Sequence, residues 1–248
     1  MGLTVHQFPC LEDNYGYFVR DGQSGLVACV DPPDAEAVVA ELGRLQWDLS
    51  LILNTHWHHD HIGGNEALRS ATDAIVIAPE EVCRRSHVDR IVVHGDEIAL
   101  GATRFEVIDT GGHTAQHVSY FDRSSEVAFV GDTLFAMGCG RIFEGTAEQM
   151  WASLMRLAAL PPSTIIYCAH EYTEANGRFA VSRDPSLAVL QRYQQVIELR
   201  RAGRWTVPTT IASELATNPF LRAPELLPSL RPAEAFGQLR AAKDASVG

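Results

Sequence analysis

The chain has 248 residues, 46% of them hydrophobic and 21% charged, and a formal net charge of -11. That is the balance of a globular protein large enough for one big domain or two modest ones. No apolar run approaches the roughly 18 residues that span a bilayer, and an acidic surface disfavours nucleic acid as a partner. The N-terminal stretch lacks the basic and apolar regions of a signal peptide. Five cysteines (Cys10, Cys29, Cys83, Cys139, Cys168) with scattered spacing fit reduced thiols rather than a disulfide frame. The expected location is therefore cytoplasmic; no residue pattern bears on assembly, and a monomer is the default expectation.

Val5–Phe8, Tyr17–Arg20 and Leu26–Val30 are short β-prone runs separated by polar or glycine turns. Asp31-Pro32-Pro33-Asp34 opens a helix, with Asp34 as N-cap and Ala35, Val38, Val39 and Leu42 at helical spacing. Leu51–Leu53 reads as a buried strand, followed by strands at Ala74–Ala78, Thr103–Ile108, Val118–Phe121 and Val127–Val130. Ala147–Leu160 is an amphipathic helix closed by Pro161-Pro162, and Thr164–Cys168 is another buried strand. This alternation predicts a layered α/β domain over residues 1–170. Beyond Glu171 strand signals nearly vanish. Ser186–Arg201 and Pro232–Lys243 carry helical patterns, with five prolines punctuating the stretch between. Residues 171–248 read as a smaller, helical domain.

The densest chemistry lies in Thr55–His61 (THWHHDH), where four histidines and an aspartate fall within six residues. Imidazole and carboxylate are donors that zinc, iron and manganese accept. In an extended chain His56 and His58 point the same way and share an ion. Asp60 and His61, further into the loop, reach a second, while His59 points away from its neighbours. Packed this tightly beside a buried strand, such groups are costly without a shared cation. A histidine that follows a strand is ordinarily a surface or packing residue, so His113 and His170 carry little alone. Yet His113, Asp132 and His170 each follow an apolar strand, as His56 does. Four strand ends thus deliver metal-type ligands, as in many α/β enzymes. His6, His87, His94 and His117 lack that context and read as structural or surface residues.

In this order, THWHHDH, GGHT (Gly111–Thr114), GDTLF (Gly131–Phe135) and AHEYT (Ala169–Thr173) resemble the metallo-β-lactamase superfamily. The resemblance implies an αββα sandwich with its site at one edge. It assigns His56, His58 and His113 to one metal, Asp60, His61 and His170 to another, and Asp132 as the bridge. All seven positions hold the expected residue type. GCGRIFEGT (Gly138–Thr146), TNPFLR (Thr217–Arg222) and FGQLRAAKD (Phe236–Asp244) resemble the glyoxalase II family, the hydroxyacylglutathione hydrolases, nearly end to end.

That resemblance implies hydrolysis of S-(2-hydroxyacyl)glutathione, typically S-D-lactoylglutathione, to glutathione and D-lactate, a step of methylglyoxal detoxification. Its cofactors are two divalent ions, zinc foremost, with iron or manganese also suited. Asp60 and Asp132 would serve catalysis, with Asp60 also orienting the nucleophile. The glutathione moiety would be held at Arg141, Phe143, Tyr172, Arg240 and Lys243. Some members carry Lys where this chain has Arg141 and Tyr where it has Phe143, and Phe143 cannot donate a hydrogen bond. Of the 20 basic residues only Lys243 is lysine. Arg240 and Lys243, three apart on a helix, share a face suited to a ligand with carboxylates. Bland readings remain: Arg240 as a solvated helix face, Tyr172 as a packing residue.

Three related chemistries rank lower. β-Lactamases commonly have Cys where Asp132 stands and are exported. A persulfide dioxygenase uses one iron, whereas a full second ligand set is present here. A nuclease wants a basic face. A non-catalytic metal-binding module would show eroded ligands, and none is eroded.

Overall fold

The computed structural model describes residues 2–246. The chain divides into two compact units, Met1–Asp109 with Gln116–Gly131, and Thr110–Ala115 with Asp132–Gly248.

The first unit contains two sheets. One runs in the order β1 (Thr4–Cys10), β2 (Asn14–Arg20), β3 (Val27–Val30), β4 (Leu49–Leu53), β5 (Ile75–Ala78), β6 (Arg90–Ile91). Its first three strands are antiparallel neighbours; from β3 to β6 each pair is parallel. Parallel neighbours need a crossover. α1 (Ala35–Leu45) supplies it between β3 and β4, and α2 (His59–Ile62) with α3 (Asn65–Thr72) between β4 and β5. Asp34 caps α1 by accepting from the Ala37 amide at 3.0 Å.

Period-two alternation decides what each face of this sheet meets. Phe8, Phe18, Cys29, Ile52 and Val76 form one buried cluster with Val38 and Leu42 of α1 and Leu68 of α3. The intervening Tyr17 turns the other way, its ring 5.6 Å from Phe129. Phe129 lies on the second sheet of the unit, ordered β7 (Glu97–Leu100), β8 (Thr103–Asp109), β9 (Val118–Asp122), β10 (Val127–Phe129), all antiparallel. Phe18, Phe105, Tyr120 and Phe121 have no solvent exposure. Each such side chain contributes about 1.5–3 kcal/mol through the water it excludes.

In the second unit β11 (Leu134–Phe135) and β12 (Gly138–Cys139) form a small hairpin, followed by α4 (Ala147–Ala158). β13 (Ile165–Tyr167) pairs antiparallel with β14 (Thr209–Thr210). The other elements are α5 (Thr173–Arg183), α6 (Leu187–Arg201), α7 (Ile211–Thr217), α8 (Ala223–Leu226) and α9 (Pro232–Asp244). Val189 and Val196 of α6 bury against Ala180 of α5 and Met137 of the hairpin. Trp151 of α4 packs on Phe236 of α9 at 6.1 Å. Among the described residues, the stretch from 171 onward thus carries five helices and one two-residue strand. Among the described residues no helix is long and apolar enough to cross a membrane.

Candidate metal centre and substrate cavity

In the first unit the candidate ligands follow the carboxyl end of a parallel strand, where loops free of ladder hydrogen bonds can present side chains. β4 ends at Leu53, and Asn54, Thr55 and His56 come next, all without solvent exposure. The loop is pinned by β9 of the second sheet. The Tyr120 hydroxyl donates to the Asn54 carbonyl at 2.6 Å, and the Val118 amide to the Thr55 carbonyl at 2.9 Å. Asp60 and His61 sit in the single helical turn of α2 rather than in an open loop. Asn54 holds that turn by donating to the His61 carbonyl at 2.8 Å.

The central buttress is Asp31, which the sequence reading passed over. It follows β3, is buried, and adopts a left-handed φ of 47°. Its carboxylate accepts from the Thr55 amide and hydroxyl, both at 2.7 Å. It also lies 3.1 Å from His61 Nδ1, which must donate, since a carboxylate only accepts. His56 Nδ1 lies 3.0 Å from the Thr55 hydroxyl, whose proton is already committed to Asp31, so His56 Nδ1 donates as well. With Nδ1 protonated, each neutral ring carries its lone pair on Nε2. His61 Nε2 then faces Asp60 Oδ2 at 3.5 Å, and His56 Nε2 faces His58 Nδ1 at 3.0 Å.

Lone pairs converging like this require protons or a cation between them. Charging all the rings is the expensive choice. The His56 ring centroid is 4.0 Å from that of His61 and 4.7 Å from that of His58. Unit charges at about 4 Å repel by about 4 kcal/mol even at an effective dielectric of 20. A divalent ion satisfies several donors together, so the donor set fits a metal.

His117 is fully buried with its ring stacked on His56 at 4.8 Å, so it is part of the wall behind a candidate ligand and not a surface residue. Gly131 closes on the same spot. Its φ is +46°, and a Cβ there would come within 2.4 Å of the Thr55 hydroxyl and 2.6 Å of His117 Nε2. No other residue type fits.

The second unit repeats the logic. His113, Asp132 and His170 are buried. His113 Nδ1 lies 2.8 Å from the Arg141 carbonyl and must donate to it, which turns the Nε2 lone pair to Asp132 Oδ2 at 3.3 Å. His170 Nε2 lies 3.4 Å from Asp132 Oδ1. Asp132 therefore has one imidazole nitrogen near each oxygen. Gly140 lets the hairpin approach, since a Cβ there would sit 1.9 Å from the Asp132 carbonyl.

His113 and Asp132 also line a cavity of about 370 Å³ in this unit, together with Phe135, Arg141, Phe143, Tyr172, Asn176, Arg240 and Lys243. All five residues assigned to the glutathione moiety are among its walls. Arg240 and Lys243 do share a face of α9, both lying over the Phe220 ring, at 5.0 and 5.8 Å. Both are buried, so neither is a solvated helix residue. Arg240 donates to the Cys139 carbonyl at 2.9 Å and to Asp244 at 3.0 Å, and Lys243 donates to the Asn176 side-chain oxygen. Burial, reinforced by neighbouring Arg240, pushes the Lys243 ammonium down to about 8. Tyr172 stacks flat on His170 at 4.7 Å. Phe143 is half-exposed and meets His113 edge-on at 5.2 Å.

The metallo-β-lactamase superfamily model matches residues 17–170, and the hydroxyacylglutathione hydrolase C-terminus model matches residues 171–246. A hydroxyacylglutathione hydrolase of Erythrobacter litoralis is 48% identical over 98% of this chain and 99% of its own length. One from Maricaulis maris is 49% identical over 98% of each. Among solved structures, ETHE1 from Myxococcus xanthus superposes with a TM-score of 0.72 at 28% identity, over 96% of this chain and 90% of its own. The fold is that of the metallo-β-lactamase superfamily, and its His and Asp clusters suggest a divalent-metal site. The chain belongs, within that superfamily, to the hydroxyacylglutathione hydrolases, the glyoxalase II family.

Proposed function

We propose that this chain hydrolyses S-(2-hydroxyacyl)glutathione with two divalent ions at seven side chains. As a hydroxyacylglutathione hydrolase by family it is a metal-dependent thioesterase, which splits its substrate with water into glutathione and a 2-hydroxy acid. We assign His56, His58 and His113 to one ion, Asp60, His61 and His170 to the other, and Asp132 to both. Zinc is the metal we favour, iron and manganese being chemically suited to the same donors. We also read the natural substrate as S-D-lactoylglutathione, in methylglyoxal clearance by a cytoplasmic monomer, with a catalytic domain over 1–170 and a glutathione-binding domain over 171–248.

Bound there, such ions supply a water that ionises near neutral pH and a Lewis acid for the thioester carbonyl. The residues do the rest. Asp60 orients the nucleophile with its carboxylate. Asp132 presents one oxygen beside His113 and the other beside His170, which suits a ligand shared by the two ions. Arg141, Arg240 and Lys243 meet the carboxylates of the glutathione moiety, Tyr172 supplies a ring face, and Phe143 supplies apolar contact in place of a hydroxyl donor. The departing thiolate is stable enough (thiol pKa about 8.5) that no strong general acid is required.

The observation that carries this reading is the cavity whose walls join buried His113 and Asp132 to three cations. The test is purified protein analysed for metal content and then given S-D-lactoylglutathione. Two ions per chain with one thiol released per thioester consumed is the expected result. Oxygen uptake without thiol release, or full turnover with at most one ion, overturns it.

A further inference from the structure

Asn14 opens β2, opposite Cys10 in the β1–β2 hairpin, and is buried, with 5% of its surface exposed. A buried primary amide is expensive unless both its hydrogens are used. Here its Nδ2 lies 3.1 Å from Asp60 Oδ2 and 3.3 Å from the Asp60 main-chain carbonyl. The side chain thus serves one residue twice. α2, the turn that carries Asp60, is four residues long and has no side-chain cap of its own. A helix that short does not hold itself, and the Asp60 side chain is 38% exposed, so packing does little to fix its rotamer.

We propose that Asn14 is the positioning residue for Asp60. One contact to the carbonyl ties α2 to the edge of β2, and the other, to Oδ2, sets the direction in which the carboxylate points. The inference rests on the assignment of Asp60 to the second ion and deepens it. It gives the carboxylate that serves that ion alone an orienting partner, as Asp31 orients His61.

The decisive measurement is zinc affinity, read by titrating the metal-stripped full-length chain against a chromophoric chelator. Wild type, Asn14→Ala, Asp60→Ala and the double variant form a cycle. Asn14→Ala is expected to keep the first zinc at wild-type affinity and to bind the second 10–100-fold more weakly, the usual cost of losing an orienting partner. In the Asp60→Ala background, removing Asn14 should cost distinctly less, because only the contact to the main-chain carbonyl is left to lose. Should the alanine variant not fold, Asn14→Ser, which lacks the reach of the amide, repeats the cycle. An unchanged second affinity in Asn14→Ala overturns the proposal, and so does an equal loss with and without the Asp60 carboxylate. If Asp60→Ala itself retains two zinc ions, the ligand assignment falls and the Asn14 proposal with it. Loss of the second zinc in Asp60→Ala but not in Asn14→Ala sinks the Asn14 proposal alone.

Discussion

Lys243 is the residue whose environment makes the sharpest prediction. As the only lysine, buried and pushed down to about 8, it holds its charge at neutral pH and loses it in mildly alkaline solution. The sign for folding and the sign for binding are opposite. A depressed pKa means the folded state binds fewer protons than the unfolded one between about 8 and the ordinary lysine value. Stability from this group is therefore full above that ordinary value and lost as pH falls through about 8. Anion binding runs the other way. KM for a glutathione thioester is expected to rise above pH 8 while kcat changes little, and Lys243→Arg should flatten that rise because guanidinium stays charged. Lys243→Ala should raise KM about 10–100-fold at pH 7, the loss of a charge-assisted hydrogen bond worth about 1.5–3 kcal/mol. A pH-independent KM in the wild type would remove Lys243 from the binding site.

Residue-level legibility was uneven for a physical reason. Metal-type donors are rare, polar and clustered, so the Thr55–His61 run announces itself. Their supports are ordinary residues whose role appears only through contact. Asp31 stands in a Pro-rich segment read as a helix opening, where Asp34 alone is the cap. Asn14 and His117 carry no local signature at all. Asp31→Ala should therefore weaken zinc binding about 10–100-fold, by freeing His61 directly and His56 through Thr55. Chelator competition measures this, and unaltered affinity would contradict the buttress.

At the scale of elements, the β11–β12 hairpin, which gives the cavity Phe135 and Cys139, is only two residues long on each side and needs anchoring. Glu214 of α7 provides it. Fully buried, it accepts from the Met137 amide at 2.9 Å and from Asn218 at 2.9 Å, and pairs with Arg192 of α6. Asn218 in turn donates to the Gly138 carbonyl at 2.8 Å. Glu214→Ala leaves Arg192 without its counter-charge and the hairpin amide without its acceptor. The expected cost is about 3–5 kcal/mol, seen as a Tm lower by on the order of 10 °C. Glu214→Gln, which keeps a carbonyl acceptor, should lose less. Equal Tm values for wild type and Glu214→Ala would contradict the anchoring role.

Elements with strong periodicity were legible and elements held by tertiary contact were not. The helices at Ala147–Ala158, Leu187–Arg201 and Pro232–Asp244 lie within two residues of their sequence patterns, and Ala35–Leu45 starts directly after its expected cap, Asp34. Thr173–Arg183 did not announce itself, because Gly177 and its polar residues leave few apolar positions to repeat. β6, β12 and β14 are two residues each, too short for alternation to register.

For the whole molecule, the open question is how an anionic substrate approaches a chain of net charge -11. A glutathione thioester carries two carboxylates and one ammonium. The diffuse acidic surface repels it at long range, and on the proposed assignment Arg141, Arg240 and Lys243 attract it at contact. Salt separates the two effects by distance. The Debye length is about 30 Å at 0.01 M, about 10 Å at 0.1 M and about 3 Å at 1 M. Raising salt from 0.01 to 0.1 M removes most of the far-field repulsion and spares contacts within a few ångströms, so kcat/KM should rise. Towards 1 M the contacts themselves weaken, and kcat/KM should fall again. In Lys243→Ala the falling arm should shrink while the rising arm persists, since only the near charge has been removed. A wild-type profile that falls monotonically from the lowest salt would mean that local cations govern the approach from the start and that the acidic surface plays no part in it.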